Sequence, residues 1–514
     1  MMRIARAICL SLAVIAIPST YVPAIAAGTT CEGLATLSLP QATITAAQTV
    51  SAGSFQPPTP ARGAAAAATT QLYAKLPSFC RVSATLTPSS DSDIKIEVWL
   101  PMATGWNGKL QAVGNGGWAG VISYGALAQA VNAGYASVST DTGHVGGTGA
   151  FALGHPEKVV DFGYRAVHEM TVKAKAVIDA FYGSAPKTSL WNGCSTGGRQ
   201  GITEAQRYPA DFDAIVAGAP AVNGMLLHGV RLAMNRLVHQ QPDSFIPPDK
   251  YPALHEAALQ ACDALDGVKD GVIDNPTRCR FDPNVLLCKG TDDKTCLTAA
   301  QVGTARALLN PVSTPAGKQL FPALLLPGAE LGWSIIAGPQ PLSLSVDAFK
   351  YIVFNDPNWD SSTFDPRDIE RLLATDNGVI NSSSTNLKPF FRRGGKLLMY
   401  HGWADPQVPA LNSVGYFENV VKDAGKQAVG TSIQLYMVPG MGHCAGGPGT
   451  DTFDKVAALE DWMAHKAAPA RIAASHVTAG QVDRTRPLCP YGQFARYKGM
   501  GSTDEAVNFE CALK

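Results

Sequence analysis

Three residue types in the right chain order could perform acyl transfer. Gly193-Cys194-Ser195-Thr196-Gly197 fits the pattern G-x-S-x-G, and it stands between an apolar run ending at Asn192 and a helical run from Gly198. In that context the serine occupies a sharp strand-to-helix turn, with its hydroxyl exposed at a helix N-terminus. The flanking glycines let neighbouring backbone pass close. A bare five-residue match is equally a Gly-rich turn, so the partners matter. A serine nucleophile needs a base, and the base needs a carboxylate to orient it. Asp405 follows the apolar run Lys396–Tyr400, and His443 follows the run Ile433–Val438. Both then lie beyond strand C-terminal ends, where parallel sheets build sites. Taken alone, Asp405 before Pro406 is a turn former and His443 a loop histidine. The order Ser, Asp, His makes Ser195, Asp405 and His443 the expected catalytic set. His401, nearer the strand, is the rival base and reads as a supporting residue.

An acyl-enzyme route also needs donors for the oxyanion. The backbone N–H of Thr196 is one; Gly117, in the turn Gly114-Asn115-Gly116-Gly117-Trp118-Ala119-Gly120, is the other. That turn also imitates a dinucleotide fingerprint, Gly114-x-Gly116-x-x-Ala119 with Asp141 beyond the next strand. An oxidoreductase fits poorly with the export and cysteine signals described below. A non-catalytic exported binding protein is the remaining alternative class, and an intact Ser–His–Asp set speaks against it.

Cys194 precedes the serine and Cys444 follows the histidine. If Ser195 and His443 touch, these two sulfurs fall within disulfide range. Further along, Cys262-Asp263-Ala264-Leu265-Asp266-Gly267-Val268-Lys269-Asp270-Gly271-Val272 gathers carboxylates around turn glycines. Asp263, Asp266 and Asp270 with the carbonyls of Val268 and Val272 could wrap Ca²⁺, which asks for six to eight oxygens. The plain alternative is a solvated acidic turn. Asp274 is an additional carboxylate nearby that the pattern itself does not recruit.

The elements that must hold these residues alternate. Strands are expected at Asp93–Leu100, Lys109–Val113, Tyr135–Thr140, Ser189–Asn192, Ile215–Ala217, Lys396–Tyr400 and Ile433–Val438. Helices are expected at Asp161–Tyr182, Gly198–Tyr208 and, as the closing element, Asp454–Ala464. Strand–helix alternation is the pattern of an α/β fold with a mostly parallel sheet covered on both faces. From about Ala221 to Leu387 the rhythm breaks into Pro- and Cys-containing segments with short helices, which reads as an insertion.

Composition bounds the rest. A chain of 514 residues with 46% hydrophobic and 16% charged residues builds a sizeable core. Lys+Arg and Asp+Glu are both 41, so nothing marks a footprint for nucleic acid or an anionic membrane. Residues 1–27 read as an export signal: Arg3 and Arg6, the apolar run Ala7–Ile17, then Ala24-Ile25-Ala26 before the cleavage point. Its removal leaves no membrane-spanning run and ten of the eleven cysteines, an even number suited to disulfides in an oxidising compartment. The expected location is the periplasm or the medium.

Five stretches together resemble the tannase/feruloyl esterase family: Asp161–Glu169, Gly197–Gly201, Ala210–Ile215, Phe354–Asp360 and Pro439–Cys444, with the Cys-Ser … Asp … His-Cys arrangement as its mark. The resemblance covers nearly the whole mature chain. It implies an α/β-hydrolase fold whose core, 28–220 and 390–514, is interrupted by a large lid domain at 221–389. It implies a structural calcium ion in that lid, on Asp263, Asp266, Val268, Asp270 and Val272. It implies disulfides Cys31–Cys80, Cys194–Cys444, Cys262–Cys279, Cys288–Cys296 and Cys489–Cys511. The substrates it implies are esters of small aromatic acids: feruloyl esters first, with gallate esters (tannase) and mono(2-hydroxyethyl) terephthalate as alternatives. A free carboxylate on the acid would call for an arginine in the lid. Between Cys288 and Asp365 the sole arginine is Arg306, in a helical run expected to face away, whereas Trp333, Phe349, Tyr351, Phe354 and Trp359 are present, most of them expected as core of the lid. An uncharged aromatic acyl group is therefore expected, and the terephthalate monoester is expected to be a poor substrate.

Overall fold

The computed structural model describes residues 28–58, 65–313 and 317–513. The export signal at 1–27 lies outside the described residues. Nine strands form one sheet: β1 (Ala42–Val50), β2 (Phe79–Leu86), β3 (Ile94–Pro101), β4 (Lys109–Val113), β5 (Ala136–Thr140), β6 (Thr188–Cys194), β7 (Ala214–Gly218), β8 (Lys396–Gly402) and β9 (Ile433–Val438). Their spatial order is β1-β2-β3-β5-β4-β6-β7-β8-β9. The six from β5 to β9 run parallel, and β1 to β3 add an antiparallel flank.

The parallel strands are short apolar runs because both faces are covered. Every residue of β5, β7 and β9 is buried. One face packs on α1 (Ala166–Tyr182) and α2 (Thr196–Arg207), through Met170, Val177, Trp191, Ile202 and Phe212 among others. Each such fully buried large side chain contributes about 1.5–3 kcal/mol. The other face closes over Leu398, Tyr400, Tyr436, Leu459 and Trp462. The helix expected from Asp161 begins with a π-type turn at Asp161–Arg165 and becomes α-helical from Ala166.

Between β7 and β8 the chain leaves the sheet. It forms α3 (Gly224–Val238) and a series of short helices that pack as two apolar clusters. The first gathers Leu227, Val230, Leu254, Trp333 and Ile336; the second gathers Met225, Leu232, Phe349 and Leu372 with Trp118 and Phe162 from the sheet side. Trp333, Phe349, Phe354 and Trp359 pack inside these clusters; Phe354 and Trp359, for instance, stack at 5.1 Å. Arg306 faces outward, paired with Asp282 at 2.8 Å.

The helix Lys455–His465 does not close the chain. Two antiparallel hairpins follow, Ile472–Thr478 with Gln481–Leu488, and Gln493–Tyr497 with Phe509–Leu513. The structure pairs Cys31 with Cys80, Cys194 with Cys444, Cys262 with Cys279, Cys288 with Cys296 and Cys489 with Cys511. Among the described residues, no helix is long and apolar enough to cross a membrane.

Candidate active site

Ser195 sits between β6 and α2 with φ +63° and ψ −122°, a strained backbone that non-glycine residues rarely adopt. The strain persists because the turn is packed from both sides. A Cβ on Gly193 would come within 2.5 Å of the Gly197 carbonyl, and one on Gly114 within 2.5 Å of the Gly197 Cα. So the glycines of this motif are needed for close approach. The Gly114 turn is in turn clamped to α2 by Asn115 and Gln200, which exchange two hydrogen bonds of 3.1 Å each. This accounts for the glycine turn that imitated a dinucleotide fingerprint: it is a buttress for the serine turn. Asp141 is likewise occupied, its carboxylate accepting from the Lys95 and Gly143 N–H groups at 2.9 Å.

The Ser195 hydroxyl donates to His443 Nε2 at 2.9 Å, and His443 Nδ1–H donates to Asp405 Oδ2 at 2.7 Å. These bonds fix the tautomer in which Nε2 is free to accept a proton. Asp405 is 2% exposed. Its Oδ1 accepts the N–H groups of Gln407 (2.7 Å) and Val408 (3.0 Å). Its Oδ2 also accepts from His401 Nε2–H at 3.0 Å, while His401 Nδ1 accepts from Ser413 at 2.7 Å. Burial alone would raise the Asp405 carboxyl, but hydrogen bonds from His401 and His443 outweigh it and hold the group below the ordinary carboxylate range. Cys194 and Cys444, bonded with Cα atoms 6.0 Å apart, tie the serine turn to the histidine loop.

Thr196 is the first residue of α2, so its N–H has no intrahelical partner. Its hydroxyl donates to the Gly117 carbonyl at 2.9 Å, which fastens the two expected oxyanion donors side by side. Gly117 has φ +54°. Both residues line the cleft over Ser195, together with Trp118, Phe162, Leu227, Leu344, Ile380 and His443.

Four polar residues of this cleft were not singled out in the sequence, one of them Gln407, two residues past Asp405. His228 and Arg231 come from α3, and Arg199 from α2. Arg199 donates to the carbonyls of Gly163, Ile380 and Phe162. Arg231 donates to the Gln407 carbonyl, and its Nε is buried without a partner. Burial lowers both guanidinium groups to about 10. His228 accepts from or donates to Ser345 at 3.1 Å, stacks on Trp118 at 5.4 Å, and is driven to about 3 by burial. The insertion thus does bring an arginine, Arg231, to the cleft, from a helix upstream of the 288–365 stretch whose sole arginine, Arg306, faces outward. Trp118 and Phe162 supply the aromatic wall, while Trp333, Phe349, Phe354 and Trp359 pack in the core of the insertion, as the plainer reading of those residues has it. The signal available was helical spacing on α3, where Leu227, His228 and Arg231 share one face.

The acidic turn offers donors for a hard cation. Asp266, Asp270, Val272 and Asp274 border one small cavity of about 20 Å³, room for a single ion or water. Burial raises the Asp266 carboxyl, and the charges of Asp270 and Asp263 add to this, so a cation there would relieve the crowding. Asp263 accepts from the Asp270 N–H (3.2 Å) and the Gly271 N–H (2.9 Å), which shapes the loop. Asp270 pairs with Arg486, a contact an ion would have to loosen. The donors fit calcium by type, but Arg484 and Arg486 line the same cavity and already balance Asp270, while Asp263 and Val268 do not border it.

A strained serine turn, an imidazole and a buried carboxylate at three strand ends of a mostly parallel sheet are the arrangement a serine hydrolase of the α/β-hydrolase fold needs. The particular family follows from comparison. The family model for tannase and feruloyl esterase matches residues 80–512, and the chain belongs to that family. It is 37% identical over 543 residues to an uncharacterized esterase of Xanthomonas campestris pv. campestris, covering 94% of this chain and 91% of the relative. It is 35% identical over 454 residues to a probable feruloyl esterase B-1 of Aspergillus fumigatus, covering 84% and 85%. Among solved structures, feruloyl esterase B from Aspergillus oryzae superposes with TM-score 0.86 at 31% identity, over 94% of this chain and 99% of that one. The tannin acyl hydrolase from Aspergillus niger shares the fold, with TM-score 0.76 at 21% identity over 95% and 94%.

Proposed function

We propose that this protein is an exported serine esterase that hydrolyses esters of small phenolic acids, feruloyl esters first, through Ser195, His443 and Asp405. The observation that carries the reading is the unbroken relay from Ser195 Oγ through His443 to Asp405, at 2.9 and 2.7 Å. His443 Nε2 takes the hydroxyl proton as Ser195 attacks the ester carbonyl. The developing oxyanion accepts from the Thr196 and Gly117 N–H groups. His443 then gives its proton to the leaving alcohol, and the acyl-serine is hydrolysed by water activated the same way. Asp405 keeps the imidazole oriented and stabilises its cationic form. Trp118 and Phe162 offer the flat apolar wall that an aromatic acid stacks on. Relatives named feruloyl esterase support the choice of acid.

Calcium, held by Asp263, Asp266 and Asp270 with the Val268 and Val272 carbonyls, would order the 221–389 lid by neutralising its acidic turn. Five disulfides and the N-terminal pattern support export to the periplasm or medium.

A second reading has its own observation. Arg231, buried with a free Nε and no carboxylate partner, would be compensated by an acid that carries a second carboxylate. The test is kcat/KM for methyl ferulate, methyl caffeate, methyl gallate and mono(2-hydroxyethyl) terephthalate. The proposal requires the first two to lead. A higher value for the terephthalate monoester would transfer the assignment to the second reading, and a higher value for the gallate ester to tannase. No turnover of any ester would leave the non-catalytic class standing.

A further inference from the structure

Three ligand-type side chains from three separate segments meet on the side of α2 facing α1. His168 belongs to α1, Glu204 to α2 and Asp211 to the turn before β7. One ligand atom from each lies within 4.8 Å of the other two. His168 Nδ1 is 2.6 Å from Asp211 Oδ2, and the His168 ring lies flat on Tyr208 at 3.7 Å, which fixes the direction of its nitrogens. Glu204 is 1% exposed, and neither of its carboxylate oxygens accepts from an N–H or hydroxyl donor; the polar group beside it is the Asp211 carboxylate. The neighbouring Lys175 ammonium donates to the Asp211 main-chain carbonyl instead. A buried carboxylate without a partner is costly and demands a compensating charge or a proton.

We propose that His168, Glu204 and Asp211 bind one divalent transition-metal ion, with zinc the best match. One imidazole nitrogen with two carboxylate oxygens suits zinc, whereas calcium takes oxygen donors. Two carboxylates balance the charge of a dication. The Nδ1 proton that His168 directs at Asp211 is replaced by the ion, the imidazole then carrying its proton on Nε2, and the pair opens by about 0.5–1 Å to admit the metal. The His168 and Asp211 side chains are 26% and 12% exposed, which gives the ion a way in, while Glu204 closes the inner side. Tyr208 holds the imidazole plane in the way an outer-shell partner does. The ion would staple α2, the helix that follows Ser195, to α1 and to the approach to β7. It is a structural site, separate from the acidic turn of the insertion.

The competing explanation is a proton on Glu204, since burial and the Asp211 charge push its carboxyl well above the ordinary range. Calorimetric titration of the chelator-stripped full chain with Zn²⁺, in excess Ca²⁺, separates the two. The proposal requires one saturable site of micromolar or tighter affinity. It also requires a Tm rise of about 1–3 °C at a hundredfold excess over Kd. Glu204→Gln and His168→Asn should each weaken binding at least about tenfold. Should Glu204→Gln fail to fold, the partly exposed His168→Asn carries the comparison. No zinc site in the wild-type chain, or zinc affinity unchanged in His168→Asn, overturns the proposal. Glu204→Gln more stable than wild type at neutral pH, with zinc inert, would identify the proton instead.

Discussion

Asp405 serves two imidazoles, and that sharing is testable one residue at a time. His401→Asn removes one donor to Oδ2 while leaving the His443 contact. His401 acts through Asp405, so the variant should lower kcat for methyl ferulate about 10–100-fold with KM little changed. A depressed carboxyl contributes stability above its unfolded pKa near ~4, and this is lost as pH falls through the folded value. With one donor gone the folded value rises, so acid unfolding of His401→Asn should begin at higher pH than in wild type. Asp141 has the opposite sign. Burial raises it to about 7 despite two backbone donors. Its folded form therefore keeps a proton that the unfolded chain releases, and stability drains away as pH rises from ~4 toward 7. Asp141→Asn keeps an oxygen for both N–H groups and removes that loss. Equilibrium unfolding should show a gain of about 1–3 kcal/mol over wild type at pH 8, and little gain near pH 4. Ser195, Asp405 and His443 could be read in the sequence because each follows an apolar run in the order acyl transfer needs. His228, Arg199 and Arg231 were harder to read: the shared face of α3 hints at the first and last, but they reach the cleft only once α3 packs over it, and Arg199, on α2, is aimed by carbonyls distant in sequence.

At the scale of elements, the strand ends do the positioning, and a disulfide locks two of them. Cys194–Cys444 closes a separation of 250 residues, between the serine turn after β6 and the histidine loop after β9. Replacing both cysteines by alanine should cost about 3–5 kcal/mol in denaturant unfolding and lower kcat more than KM. An unchanged kcat would mean that packing alone holds the two loops in register. The parallel strands were legible because burial on both faces leaves compact apolar runs such as Ile433–Val438. The C-terminal hairpins were not. Their residues are half exposed and polar, so alternation is faint. The first hairpin also turns at Ala479-Gly480 with φ of +51° and +83°, a two-residue loop usually announced by Asn-Gly or Asp-Gly. An alanine there hides the signal.

At the scale of the whole molecule, the α/β core carries the chemistry and the 221–389 insertion covers it. The sequence loses its rhythm where the chain leaves the sheet between β7 and β8, but the aromatic residues there were more informative about packing than about substrate, since Phe349 and Phe354 both stack on Trp359. If calcium orders the insertion from its acidic turn, chelation should lower the Tm by several degrees, read by scanning calorimetry, while kcat for a small activated ester at low temperature changes less than about twofold. A chelated protein with unchanged Tm would remove the ion from the account. The central claim is that Ser195 forms an acyl-enzyme with a phenolic acid. It is tested most directly by kcat/KM for methyl ferulate in wild type and Ser195→Ala, measured on preparations with matching circular dichroism and Tm. The account predicts efficient wild-type turnover and a loss of at least about 10³-fold in the variant. Ser195→Ala retaining more than about a tenth of wild-type activity would contradict it.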